Sequence, residues 1–295
     1  MKHIFDREKK AAIVHCACPK MDTMTITGNH ALGQHSSYPD EYSPGLLVAI
    51  ARAENRAAIG LGVDLPFQGV DIWNAWELTW LENSGRPIVA TLQLRVPAES
   101  PNIIESKSLK LYLNSYSMSR FDTAQDVCSR ITSDLSGCAD AEVVVSLGTA
   151  GSASGASTES LPGNCIDDLE VECNLWDVDA SLLQADQGNT VSAALHSNVL
   201  RSLCPVTSQP DFGSVLVNYE GPEIDPKSLL RYIVSFRKHK DFHETCVERI
   251  FLDIKERCRP TKLAVYARFQ RRGGIDINPF RADAGVVLAD ILRTS

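Results

Sequence analysis

Cys204 is the side chain in this sequence best placed to do covalent chemistry. It stands in Ser202-Leu203-Cys204-Pro205-Val206-Thr207-Ser208-Gln209-Pro210-Asp211-Phe212-Gly213, two prolines between two strand-like runs. Loops held by rigid strands are where reactive groups are commonly mounted. A thiolate there is a nucleophile or a metal ligand. Plainer readings stay open: Cys204 as one more buried apolar group, and Asp211 as the turn former of Pro210-Asp211. Three further clusters carry charge. Asp241-Phe242-His243-Glu244 opens a helix, where acidic residues are often only caps. Glu105-Ser106-Lys107 reads as a solvated turn and Arg271-Arg272-Gly273-Gly274 as a charged hairpin tip. From composition and spacing alone the reading stops at a soluble α+β protein.

The elements that must hold these residues follow from periodicity. Leu92, Leu94 and Val96 alternate with Gln93 and Arg95, as in a half-buried strand. A second strand is expected over Ser108–Asn114, with Leu109, Leu111 and Leu113 on one face and Ser108, Lys110, Tyr112 and Asn114 on the other. Asp122 with Gln125 resembles a capping box for a helix carrying Val127, Ile131 and Leu135 and stopping at Gly137. A Val-rich strand, Glu142–Leu147, precedes a Gly/Ser/Ala loop over 148–163. Beyond it come an apolar stretch at Val191–Leu203, a strand at Ser214–Tyr219, and a helix begun by Asp225-Pro226, where proline's missing N–H costs nothing. A helix from Phe242 to Cys258 presents Val247, Ile250, Phe251 and Ile254 on one stripe, and Leu263, Val265, Ala267 and Phe269 form a closing strand. This order, hairpin, helix or helices, hairpin, repeated twice, predicts an α+β protein with antiparallel sheets and helices on one face. No residue-level repeat is detectable.

Bulk properties narrow the function classes. A formal net charge of −8 over 295 residues argues against a protein built to grip a polyanion, so no direct nucleic-acid binding is expected. No apolar run is long enough to span a bilayer and Met1–Lys10 is charged, which implies a cytoplasmic protein with no membrane partner. The nine cysteines form an odd set without a C-x-x-C pair, as expected of reduced thiols. His15, Cys16 and Cys18 lack a second ligand pair at zinc-site spacing, and no metal site is expected. Gly60-Leu61-Gly62 is too short for a dinucleotide fingerprint.

At four separated blocks the chain resembles the long form of the 7-cyano-7-deazaguanine reductase family. These are Glu105-Ser106-Lys107-Ser108-Leu109-Lys110-Leu111-Tyr112-Leu113-Asn114-Ser115, Cys204-Pro205-Val206-Thr207-Ser208-Gln209-Pro210-Asp211, Phe242-His243-Glu244-Thr245-Cys246-Val247-Glu248-Arg249 and Arg271-Arg272-Gly273-Gly274-Ile275-Asp276-Ile277-Asn278-Pro279. The resemblance runs from about Met24 to Arg281. It implies two tandem tunnelling-fold (T-fold) modules, over 24–160 and 161–295 after an extension over 1–23, and assembly as a homodimer. It further implies reduction of the nitrile of 7-cyano-7-deazaguanine to the aminomethyl group with NADPH, in the synthesis of the tRNA base queuosine. Cys204 would be the nucleophile and Asp211 the proton donor. Ile104, Glu105, Ser106, His243 and Glu244 would contact the substrate, and Ser106, Lys107, Arg272 and Gly273 the NADPH.

These residue types suit that reaction. Covalent addition of a thiolate turns a nitrile, a poor hydride acceptor, into a thioimide and splits one hard reduction into easier steps. A carboxylate such as Glu244 accepts two adjacent N–H donors of a guanine-like ring, and Lys107 and Arg272 suit phosphates. Rival readings are a zinc cyclohydrolase of the same fold using Cys204, His243 and Cys246, a cysteine nitrile hydrolase, and a non-catalytic purine- or tRNA-binding module. The run Pro-Val-Thr-x-Gln-Pro-Asp after Cys204 favours the reductase.

Overall fold

The computed structural model describes residues 39–149 and 160–292; the expected extension over 1–23 and most of the Gly/Ser/Ala loop lie outside them. In chain order the elements are β1 (Ala49–Ala51), α1 (Arg52–Ala58), β2 (Gln68–Leu81), β3 (Pro87–Pro97), β4 (Asn102–Ile104), α2 (Ser106–Asn114), α3 (Ala124–Ala139) and β5 (Val144–Thr149). Then follow β6 (Asn164–Cys165), β7 (Ala185–Leu203), β8 (Pro210–Ile224), α4 (Pro226–Ser235), α5 (His243–Cys258), β9 (Lys262–Phe269), β10 (Ile275–Ala282) and α6 (Leu288–Ile291). The class is α+β. One eight-stranded sheet runs in the order β5-β3-β2-β10-β9-β8-β7-β6, antiparallel throughout except for the short β6–β7 pairing, and β1 pairs with β4 apart from it.

The expected strand over Ser108–Asn114 is a helix, α2. Glu105 caps it, accepting from the Lys107 and Ser108 N–H groups at 2.9 and 2.6 Å. Its buried residues are Leu109, Tyr112 and Leu113, spaced three and four apart. Leucines at every second position imitate a strand, and the cap with its helical spacing overrides them. A smaller correction applies to α3. Thr123, not Asp122, is the cap, and the helix runs through Gly137 to stop where Asp140 turns left-handed at φ 54°. The other strands and helices expected from the apolar pattern are found, with Val127, Ile131, Leu135, Val247, Ile250, Phe251 and Ile254 all fully buried, whereas α1, β2 and β10 are not marked by it.

Alternation along the strands divides the core. Trp73, Leu92 and Leu94 pack with α2 and α3, and Val215, Val217 and Val265 with α4 and α5, all on one sheet face. Ile72, Leu216 and Tyr266 point the other way, where the short helix α6 packs through Leu288 and Ile291. The helices are therefore not confined to one face, as expected from sequence; α6 is the exception.

The halves of the sheet join where β2 pairs with β10, from Ile275 opposite Ala75 to Ala282 opposite Gln68. Gly69 is required there, since a Cβ on it would come within 2.2 Å of the Phe280 carbonyl oxygen. A chain of buried ion pairs crosses the same seam. Arg52 lies 2.6 Å from Asp71, Asp71 2.7 Å from Arg281, Arg281 2.8 Å from Glu248 and Glu248 2.7 Å from Arg56. Burial alone would favour the neutral acids, but the guanidiniums hold both Asp71 and Glu248 below the usual carboxylate range. Removing one member strands its partners without solvent. Arg281→Met is expected to cost about 3–5 kcal/mol in denaturant unfolding, while Arg86→Ala, which breaks an exposed pair with Glu82, should leave the unfolding midpoint almost unmoved.

Candidate active site

A cavity of about 230 Å³ opens between the N-termini of α2 and α5, the β7–β8 loop and the turn before β10. Every residue expected from sequence lines it: Ile104, Glu105, Ser106, Lys107, Cys204, Asp211, His243, Glu244, Arg272 and Gly273. Trp73 and Lys110 also line it and were not anticipated as site residues. The leucine alternation puts Lys110 on a strand. On helix α2 it falls one turn beyond Ser106 and Lys107 and reaches the same cavity, so the signal that would have found it is the Glu105 cap followed by Leu109, Tyr112 and Leu113. A larger cavity of about 670 Å³ lies on the opposite sheet face, but among the described residues no cysteine, serine, threonine or histidine lines it.

The β7–β8 loop presents Cys204. Its N–H donates to the Gln209 carbonyl and its own carbonyl accepts from Ser208 N–H, both at 2.9 Å, with Ser208 in the left-handed region at φ 56°. Leu203, just before it, donates to the His239 carbonyl and accepts from Asp241 N–H, tying the loop to the α4–α5 connection. The thiol is half-buried. Burial works against its ionisation, but the Thr207 hydroxyl and N–H, the Val206 N–H and the Arg272 guanidinium outweigh it, so the thiol titrates below its ordinary value.

Asp211 opens β8 directly across from Ser202 and is buried. Its two oxygens face different groups: Oδ1 lies 3.1 Å from Arg272 Nη2, and Oδ2 3.5 Å from His243 Nε2. Arg272 also donates to Gln209 Oε1 at 2.7 Å, so one guanidinium braces the cysteine loop and the aspartate together. It is mounted on a tight turn closed by Arg272 N–H to the Ile275 carbonyl, with Gly273 and Gly274 at φ 63° and 83°. Gly273 also lets that turn approach Lys110, whose Cδ would sit 3.2 Å from an added Cβ.

Glu244 forms the floor. It is 2% exposed, and its Oε1 has no hydrogen-bond partner. Burial, then the Asp71 carboxylate, pushes its carboxyl up to about 8 against the pull of Arg52 and Arg281. Burial similarly lifts Asp241, at the mouth of α5, to about 6. Burial and then Arg272 lower the Lys110 amine. Among the described residues no group of three His, Cys, Asp or Glu is placed to hold a metal ion, and no helix is long and apolar enough to cross a membrane.

The model for "Nitrile reductase, 7-cyano-7-deazaguanine-reductase N-term" matches residues 38–147, and that for "QueF-like protein" matches 210–285. The NADPH-dependent 7-cyano-7-deazaguanine reductase of Paraburkholderia phymatum is 48% identical over 265 residues, which are 90% of this chain and 97% of that one. This chain belongs to the 7-cyano-7-deazaguanine reductase family. The proteins of the same name from Chromobacterium violaceum and an Azoarcus species are 46% and 52% identical, over 93% and 85% of this chain and 99% and 89% of theirs. Ile104 to Lys107 fall in the first matched stretch, and Asp211, His243, Glu244, Arg272 and Gly273 in the second, with Cys204 between the two.

The lowered Cys204 thiol has a direct readout. Brief iodoacetamide treatment at pH 7 should label Cys204 before the more exposed Cys165, whose thiol titrates above its ordinary value, as read by peptide mass. Arg272→Gln should slow labelling of Cys204 severalfold and leave Cys165 unchanged.

Proposed function

We propose that this chain is an NADPH-dependent oxidoreductase that reduces the nitrile of 7-cyano-7-deazaguanine to the aminomethyl group, through a thioimide on Cys204, in the synthesis of queuosine. The observation that carries the reading is the meeting, in one small cavity, of a thiol poised to ionise with two buried carboxyls, Asp211 and Glu244. The names of its relatives supply the substrate and the cofactor.

In this reading the Cys204 sulfur adds to the nitrile carbon. A carbon–sulfur bond forms, one carbon–nitrogen bond opens, and the nitrogen takes its proton from Asp211, held at the cavity by Arg272 and His243. Glu244 accepts paired N–H groups of the ring, with Ile104, Glu105, Ser106 and His243 completing the substrate pocket. The residues fit the cofactor's charge: Lys107, Lys110 and Arg272 stand at one rim, and Gly273 lets the backbone come close. Ser106, Lys107, Arg272 and Gly273 would hold NADPH, which when bound supplies one hydride per molecule, two per amine. Burial of Asp211 and Glu244 keeps water from competing for their polar atoms.

The expected pair of T-fold modules, 24–160 and 161–295 after the 1–23 extension, draws support from a correspondence that composition hides. Glu105 caps α2 as Asp225 caps α4. Tyr112 donates to Asp134 as Tyr232 donates to Asp253, each at 2.7 Å. Helices α3 and α5 each have 16 residues and each end left-handed, at Asp140 and Arg259. Leu81 bridges Arg120 as Leu203 bridges Lys240. The residue after Leu81 is Glu82 where the second half has Cys204, and α3 has Gln125 where α5 has Glu244, so only the second half carries the nucleophile and the ring-binding carboxyl. The edge strands of the described sheet, β5 and β6, are candidate surfaces for the expected homodimer. A cytoplasmic enzyme that does not itself grip nucleic acid accords with the acidic balance.

Purified protein with 7-cyano-7-deazaguanine should consume about two NADPH per aminomethyl product, as two hydride steps require. Conversion without NADPH loss would mean hydrolysis instead. Cys204→Ala should abolish turnover with the fold intact. The raised Glu244 carboxyl sets a sign for pH: the ionised form accepts the ring, so substrate binding should tighten roughly tenfold per unit as pH rises from 6 toward 8 and then level off. Tryptophan quenching, with Trp73 in the cavity wall, would follow it.

A further inference from the structure

The second half holds the chemistry, yet the groups beneath Glu244 come largely from the first. Helix α1 and strand β2 send Arg52, Arg56 and Asp71 across the seam, where they meet Arg281 of β10 and Glu248, one turn along α5 from Glu244. Three arginines face two carboxylates in this cluster, all at most 8% exposed. One buried positive charge is left over.

The donors locate the surplus. Arg281 divides its fork between Asp71 and Glu248, and Arg56 gives Nε and Nη2 to Glu248. Arg52 binds Asp71 through Nη2 and Ser100 through Nε, and its Nη1 is buried without a partner. Glu244 Oε1 is also buried without a partner. An uncompensated buried cation and a buried carboxyl in one desolvated region complete each other's charge. A neutral purine-like substrate cannot supply the missing anion.

Resting on the reductase reading, we propose that Arg52 is a positioning residue for substrate recognition: its surplus charge and unused Nη1 N–H stabilise the Glu244 carboxylate in the form that accepts the ring. The first half of the chain thus contributes to specificity without touching the substrate through this arginine. Other charges also act on Glu244. Asp71 of β2 opposes ionisation and Arg281 of β10 assists it. His243 and Glu248 share its helix, and Asp211 of β8 and Asp241 line the same cavity. Arg52 differs from Arg281 and Arg56 in holding a buried donor without a partner.

The test is the pH midpoint of 7-cyano-7-deazaguanine binding, read by tryptophan quenching in full-length parent, Arg52→Met and Arg56→Met. Arg56→Met disturbs the same cluster and serves as the structural control. Arg52→Met should raise the midpoint by at least about one pH unit and weaken binding at pH 7 by roughly tenfold, with NADPH affinity unchanged. Arg56→Met should lose comparable stability and keep the parent's midpoint within a few tenths of a unit. If Arg52→Met does not fold, Arg52→Gln, which can still donate to Asp71, is read the same way. An unmoved midpoint in the Arg52 variant, or an equal shift in both variants, overturns the proposal. A parent that does not bind the nitrile at any pH instead refutes the reductase reading beneath it.

Discussion

Five charged side chains, Arg52, Asp71, Arg281, Glu248 and Arg56, alternate in sign through the seam where β2 meets β10, at distances of 2.6 to 2.8 Å. Water is excluded from them, so each depends on its neighbours. A buried pair of this kind contributes little net stability compared with apolar packing, but loss of one member costs heavily. That asymmetry favours one alignment of the two sheet halves. It also sets the start of α5, because Glu248 is fastened to both Arg56 and Arg281 while Glu244 stands one turn earlier. The site inherits its geometry from the seam.

The site combines opposed electrostatic demands within a few turns of chain. Cys204 needs its anion favoured, and the loop amides, Thr207 and Arg272 supply that. Glu244 is desolvated and sits in the field of Asp71, so its anion is disfavoured until something engages it. Arg272 serves three residues at once, Cys204, Gln209 and Asp211, which couples the nucleophile to the aspartate through one guanidinium. The left-handed glycines behind Arg272 allow the turn that makes this reach possible.

Much of this was legible in the sequence, for physical reasons. Asp225-Pro226 marked the start of α4, and Leu263, Val265, Ala267 and Phe269 marked β9, because cap chemistry and burial on a pleat leave local signatures. The ten residues expected to form the site line one cavity. The strand expected over Ser108–Asn114 failed because alternating leucines imitate a strand when the Glu105 cap is overlooked. The likeness of the two halves was legible only as a repeated order of elements, for a different reason. It resides in caps, hydroxyl–carboxylate pairs and helix lengths, which residue identity barely records. The ion-pair chain was equally hidden, since Arg52 and Glu248 are 196 positions apart (248 − 52) and nothing local marks a charge that will be buried.

Intact-protein mass after incubation with 7-cyano-7-deazaguanine in the absence of NADPH tests the central claim most directly. A covalent role for Cys204 predicts a gain equal to one nitrile molecule, located by peptide mapping to Cys204 and lost when NADPH is added. An unchanged mass under conditions where the same preparation turns over with NADPH, or an adduct on another cysteine, would contradict it.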